Sequence, residues 1–359
     1  MRIDNLEVDL KTESARRVIV IGAGIVGASV AYHLACKGAQ VTVIEAGEVA
    51  SGVTGRSFAW INTSHSGPDP IAQLRAAAIQ EYHRLEAELP DLKIHWTGAL
   101  SYPPGTDLEA SANLLTQAQI LDLEPNLKNP PRQAFYNPQE GALDAVQATH
   151  ALIAGAQALG ATVLVHTRVQ GFTLRDATVT GVETATGAIE ADLVVLAAGT
   201  AIRQLTETLN LSLPIEASPA IFIRYRMQPD RVNTLISSPE MEVRQDSQGI
   251  LLAAEDYLDN SLENHSQAIA QRTAAAIRNE LAGIISIEPE LACIGLRPTP
   301  ADGVPIIGYL PGIGAMYVCT MHPGVTLAAV AGRLVSDELI DDQVSPALAP
   351  CRPDRFFKT

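Results

Sequence analysis

Gly22-Ala23-Gly24-Ile25-Val26-Gly27 forms a G-x-G-x-x-G run, and Glu45 follows 18 residues after Gly27. These types at this spacing suit the binding of a dinucleotide. Gly22 permits a tight turn, Gly24 lets the backbone approach a pyrophosphate, and Gly27 lets a helix pack closely on a strand. A helix that starts at this turn offers free N–H groups and positive potential to phosphates. A carboxylate at Glu45 accepts from both ribose hydroxyls and repels a 2′-phosphate, which disfavours NADP. Soon afterwards comes Ser51-Gly52-Val53-Thr54-Gly55-Arg56-Ser57, a loop of small residues with one arginine. Such a loop suits a second set of phosphate and ring atoms. These residues alone leave NAD and FAD both open.

The elements needed to hold the motif are legible around it. Val18–Ile21 is a β-branched run expected to be a buried strand, Ile25–Lys37 a helix stopped by Gly38, and Val41–Ile44 the next strand. Together they make a β-α-β unit of roughly 30 residues, the size of a parallel crossover. Further helices are expected over Pro70–Leu89, Val146–Leu159, near Ile269–Leu281 and from about Val325 to Ile340. Val163–Val165 and Leu193–Ala197 read as strands, with Val169–Leu174 and Thr178–Glu183 as a β-meander. Residues 1–15 read as a polar, loosely held extension.

The organisation is therefore discontinuous. Residues 1–90, 141–214 and 293–359 are expected to form an α/β, Rossmann-like nucleotide domain, a parallel sheet with a β-meander. Residues 91–140 and 215–292 are expected to form an α+β substrate domain with a mixed or antiparallel sheet.

Composition narrows the classes of function. Forty acidic residues stand against 25 basic ones, a net charge of −15, and no Lys/Arg cluster occurs, so nucleic acid is not an expected partner. The four cysteines are scattered and no H-E-x-x-H occurs, which argues against a disulfide framework and a metal site. A reducing, cytoplasmic setting is expected. Val18–Ala35 is long and uncharged enough to be weighed as a membrane span, but three glycines and a strand-then-helix pattern argue against it. Homo-oligomerisation is left open.

Five segments together resemble the D-amino-acid oxidase superfamily, in particular its glycine oxidase and sarcosine oxidase branch. They are Val18–Gly27; Glu45 with the Ser51–Ser57 loop; Leu123–Leu127 with Gly141–Asp144; Leu193–Thr200; and Gly295–Gly308 with the terminal helix. The resemblance implies FAD, with Gly22, Gly24, Ile25, Val26, Gly27, Glu45, Ala46 and Thr54 along the nucleotide. It puts Arg56, Ser57, Phe58 and Ala59 near the pyrophosphate or flavin ring, Val169 at the adenine, and Ala198 and Gly199 beside the nucleotide. It also starts the last helix, at Gly324, Val325 and Thr326, under the flavin pyrimidine, where a helix N-terminus favours the charge of reduced flavin.

The resemblance makes Arg297 a clamp for a substrate carboxylate and brings it near the cofactor. A guanidinium fork suits that task because it makes two parallel hydrogen bonds. His322 is a departure from relatives with arginine or glycine there; it could bind substrate, hold a proton or cap the helix. Glu242 falls where the family often has a tyrosine, and it either favours a second cationic group or points outward. Cys293 falls beside the position where the sarcosine oxidase branch attaches its flavin, so non-covalent FAD is expected, with Cys293 a small buried hydrophobe.

The implied reaction is hydride transfer from the carbon next to an amine nitrogen to flavin N5, leaving an imine that hydrolyses, with oxygen or another acceptor taking the electrons. The rivals are a flavin dehydrogenase serving a quinone or protein partner, an NAD-dependent dehydrogenase, and a non-catalytic FAD-binding subunit. An aromatic content of 4% points weakly to a small or aliphatic substrate.

Overall fold

The computed structural model describes residues 15–63, 69–102, 113–246 and 249–357. All but the last residue of the expected amino-terminal extension lies outside them.

A six-stranded sheet forms the first layer. Its spatial order is Ile306–Tyr309, Met316–Thr320, Leu193–Leu196, Arg17–Ile21, Gln40–Ile44, Thr162–Leu164. All neighbours are parallel except the Ile306–Tyr309 edge. The strands are apolar on both faces because both faces are covered. Val18, Val20, Val41, Val43 and Val195 pack on helices Ile25–Cys36, Ala72–Glu88, Ala145–Ala158 and Gly324–Asp341. Ile19, Ile21, Ile44, Val194 and Leu196 point the other way, onto the meander of Val169–Arg175, Thr178–Thr184 and Gly187–Glu190. The side-chain period of two splits each strand between these layers.

An eight-stranded sheet runs in the order Ile287–Pro300, Ile215–Met227, Ile250–Asp256, Glu242–Gln245, Leu235–Ser237, Ala99–Ser101, Gln133–Asn137, Leu114–Thr116. It is antiparallel except where Leu235–Ser237 meets Ala99–Ser101. Helix Ser266–Glu280 covers one face through Ile269, Ala270, Ala274 and Ile277, against Ile221, Ile223, Val243 and Ala253. The alternate residues, Phe222 and Leu252 among them, face Phe58 and Ala142. Residue 293, where a domain boundary was expected, falls inside the Ile287–Pro300 strand. A small sheet of Trp60–Ile61, Gly141–Leu143 and Ile94–His95 sits beside them.

Among the described residues, no helix is long and apolar enough to cross a membrane. The stretch weighed as a span is a strand, a turn and a helix, as its glycines imply.

Candidate active site

Four parallel strands end side by side, and their carboxyl ends deliver Gly22, Glu45, Ala197-Ala198-Gly199 and Met321-His322. In open α/β sheets ligands bind outside these ends. A cavity of about 1190 Å³ opens there, above the usual range of about 300–1,000 Å³ for small-ligand pockets and roomy enough for a dinucleotide with a small second ligand.

Gly22 adopts φ 105°, and a Cβ on it would lie 2.6 Å from the Ala197 carbonyl oxygen, so a side chain is excluded. A Cβ on Gly27 would come within 2.0 Å of the Gly22 carbonyl oxygen. Gly27 therefore sits behind the wall, as the contact that seats the helix, and does not line the cavity. The helix begins at Ile25, whose N–H donates to Thr54 Oγ1 at 3.1 Å. Glu45 accepts from the backbone N–H of Ala23 at 2.8 Å on one oxygen and of Gly47 at 2.8 Å on the other. Held from both sides, its carboxylate still has lone pairs for ribose hydroxyls.

Gly22, Gly24, Ile25, Val26, Glu45, Ala46, Thr54, Val169, Ala198 and Gly199 line this part of the cavity. Arg56, Ser57, Phe58 and Ala59 continue the lining toward the eight-stranded sheet, and Gly324 and Val325 close the opposite side. Thr326 differs from its expected place. Its hydroxyl donates to the Trp60 carbonyl at 3.1 Å and accepts from the Asn62 N–H at 3.3 Å, so it ties the last helix to the Trp60–Asn62 segment behind the lining. The helix end at Gly324 carries no side-chain cap, so its dipole is presented to the cavity. A glycine cradle, a doubly held carboxylate and two helix N-termini, the one at Gly324 without a side-chain cap, form a set of groups that fits a dinucleotide pyrophosphate and ribose.

The three residues expected at the substrate all line the same cavity. Arg297 stands on the long edge strand and reaches Ser218 Oγ at 3.1 Å and the Pro219 carbonyl at 3.3 Å through one nitrogen. Its Nε is buried without a partner, and among the described residues no carboxylate forms an ion pair with it. His322 is half-buried; burial first, then the positive charges of Arg297 and Arg75, push its pKa down to about 4. It is therefore a neutral imidazole at neutral pH. Glu242 faces the cavity because the adjacent Val243 faces the helix-covered core. Burial, with the nearby Asp256 and Glu255 charges, pushes its pKa up to about 7, while Ser237 and Arg297 pull more weakly the other way. Cys293 does not line the cavity and sits opposite Phe222 in the strand pairing.

Two arginines were not anticipated. Arg75 lines the cavity from helix Ala72–Glu88, held by Asp69 at 2.8 Å and the Asn62 side-chain oxygen at 3.2 Å. Arg244 is only 3% exposed and donates to the carbonyls of Phe58 at 2.8 Å and Leu143 at 2.9 Å, fixing the Phe58–Ala59 wall. Its burial pushes its pKa down to about 10.

The chain is 27% identical over 371 residues to a glycine oxidase of Pseudomonas putida, covering 95% of this chain and 99% of that one. In fold it resembles a glycine oxidase from Geobacillus kaustophilus, with TM-score 0.83 and 21% identity over 94% of this chain and 98% of that one. An L-proline dehydrogenase from P. horikoshii superposes equally well, with TM-score 0.83 and 22% identity over 96% and 98% of the two chains. The family model of the DAO-type FAD dependent oxidoreductases matches residues 17–338, which takes in every residue that lines the cavity. With a nucleotide cradle that fits the cofactor and a match of that extent, the chain belongs to the DAO family of FAD-dependent oxidoreductases.

Proposed function

We propose that this oxidoreductase acts on a small amine that carries a carboxylate, an amino acid or an N-substituted relative of one. The carbon next to nitrogen loses a hydride, and the resulting imine is hydrolysed to a carbonyl compound and an amine. Arg297 carries this reading. It is a guanidinium in a cavity shared with the nucleotide cradle, with a buried N–H left over and no protein carboxylate paired to it. A part-buried guanidinium with one enclosed N–H lacking a partner wants an acceptor, and a substrate carboxylate is the anion that suits its fork. The names of the P. putida relative and of the P. horikoshii structure point the same way, since glycine and proline are both amino acids.

Bound FAD supplies the two-electron acceptor. The residues that would hold it are Gly22, Gly24, Ile25, Val26, Glu45, Ala46, Thr54, Val169, Ala198 and Gly199, with Arg56 to Ala59 and Gly324-Val325 at the ring end. The chain's own part in the chemistry is positional. Arg297 fixes the carboxylate, and so fixes which hydrogen faces the acceptor. His322, uncharged, offers a nitrogen lone pair to an amine N–H without repelling a protonated substrate. Phe58 and Phe222 exclude water from that end. We also propose that the eight-stranded sheet is the core of a substrate domain and the six-stranded sheet the core of a nucleotide domain.

The test is anaerobic titration of the yellow protein with amino acids and N-methyl amino acids, each beside its decarboxylated analogue. Bleaching by a carboxylated amine and not by its analogue is expected. A flavoprotein that no carboxylated amine reduces would sink the reading. Mixing the reduced protein with oxygen, and separately with a quinone, then tells an oxidase from a dehydrogenase.

A further inference from the structure

The substrate end of the cavity is bipolar. Arg297 stands at one side, without a protein carboxylate. Glu242 stands on the fourth strand of the same sheet, facing the same space. Among the described residues no arginine, lysine or histidine forms an ion pair with Glu242. The obvious candidate is Arg244, two residues along and on the same face, but it is spent on the carbonyls of Phe58 and Leu143. Every other charged group that bears on Glu242, apart from Arg297, is acidic: Asp256 and Glu255 on the neighbouring strand, with Ser237 the polar neighbour opposite in register. A carboxyl enclosed in this way, with acid around it and Arg297 the weakest influence on it, has no cation paired to it. An enclosed carboxylate without one is destabilised, and a ligand nitrogen with N–H donors relieves it.

We propose that Glu242 determines the substrate range of this enzyme by binding a second, cationic nitrogen at the far end of the molecule whose carboxylate Arg297 holds. The preferred substrates are then amino acids, or N-substituted amino acids, whose side chain ends in an ammonium or guanidinium group. The inference rests on the reading of Arg297 as the carboxylate clamp. It adds a second point of attachment and with it a length requirement.

The experiment uses FAD-loaded wild-type protein and the variants Glu242→Gln and Glu242→Asp. The first readout is calorimetric binding of ω-amino carboxylates of increasing length, each against the plain carboxylate of the same length; neither has an amine next to its carboxylate. Wild type should bind the best-fitting ω-amino carboxylate at least about tenfold more tightly than its plain counterpart, the worth of one charge-assisted hydrogen bond. Glu242→Gln should abolish most of that preference, and Glu242→Asp should keep it with a shifted optimum length. The second readout is the ratio of kcat/KM for cationic over neutral amino acids, from flavin bleaching, which should fall by a similar factor in Glu242→Gln.

Equal binding of the two carboxylate series by wild type would overturn the proposal. So would a Glu242→Gln protein that loses activity equally on all substrates, because an unchanged ratio marks a proton carrier. If no amino acid bleaches the flavin while the calorimetric preference holds, the proposed reaction fails and the bipolar site stands.

Discussion

Arg297 is where a single substitution separates binding from chemistry. Replacing it with methionine removes a forked, charge-assisted contact of about 3 kcal/mol, so KM for an amino acid should rise on the order of 100-fold, with a smaller change in kcat. Steady-state kinetics with the carboxylated and decarboxylated forms of one substrate checks this, because only the former should respond. His322 and Glu242 should pull the pH dependence of stability in opposite directions. His322 ionises at about 4 in the fold against about 6.5 unfolded, so the unfolded chain takes up the extra proton and stability falls as pH drops from 6.5 to 4. Glu242 holds its proton up to about 7 in the fold, against about 4.5 unfolded, so its contribution is greatest at low pH and is lost as pH rises from 4.5 to 7. Thermal unfolding of His322→Asn and Glu242→Gln across pH 4 to 8 should each flatten one slope and leave the other. The glycines and Glu45 were readable in the sequence because their chemistry is local to one turn and one strand end. Arg75 and Arg244 were not: Asp69 and Asn62 hold Arg75 in a loop-to-helix fold that no motif marks, and Arg244 is held by the Phe58 and Leu143 carbonyls far away in sequence.

Alternation along strands decides which side chains meet the cavity. Val243 points into the helix-covered core, so Glu242 and Arg244 both point out of it, one to the cavity and one to the segment that walls it. Arg244→Met should leave two buried carbonyls unpaired and lower stability by about 2 kcal/mol, with a parallel fall in flavin retention, read from thermal unfolding and from visible absorbance per protein. Gly27→Ala should be harsher at the nucleotide. Its Cβ runs into the Gly22 carbonyl, which is backbone and cannot swing aside, so the helix must shift off the strand and purified protein should come away largely colourless. The β-branched strands of the parallel sheet were legible from their runs of apolar residues. The 14-residue strand Ile287–Pro300 was not, because it contains Pro289, Pro298 and Pro300, which normally argue against a strand. It tolerates them because it is an edge, with one side free of pairing.

At the scale of the whole molecule, the cavity takes lining from both large sheets, so cofactor and fold are coupled. FAD at 100 times its dissociation constant should stabilise the protein by about 2.7 kcal/mol, and stripping it should lower Tm in a way that added FAD restores. The parallel sheet also has a consequence for how the protein is made. Its strands come from the beginning, the middle and near the end of the chain, and Leu193–Leu196 gains its second neighbour only when Met316–Thr320 is present. A nascent chain on the ribosome therefore carries a glycine turn and a poised carboxylate long before it has a place to put a flavin. Colour should be acquired by finished chains alone. A chain stopped before residue 316 should leave a strand edge bare, and it should be met in the cell by chaperones and proteases before it meets FAD.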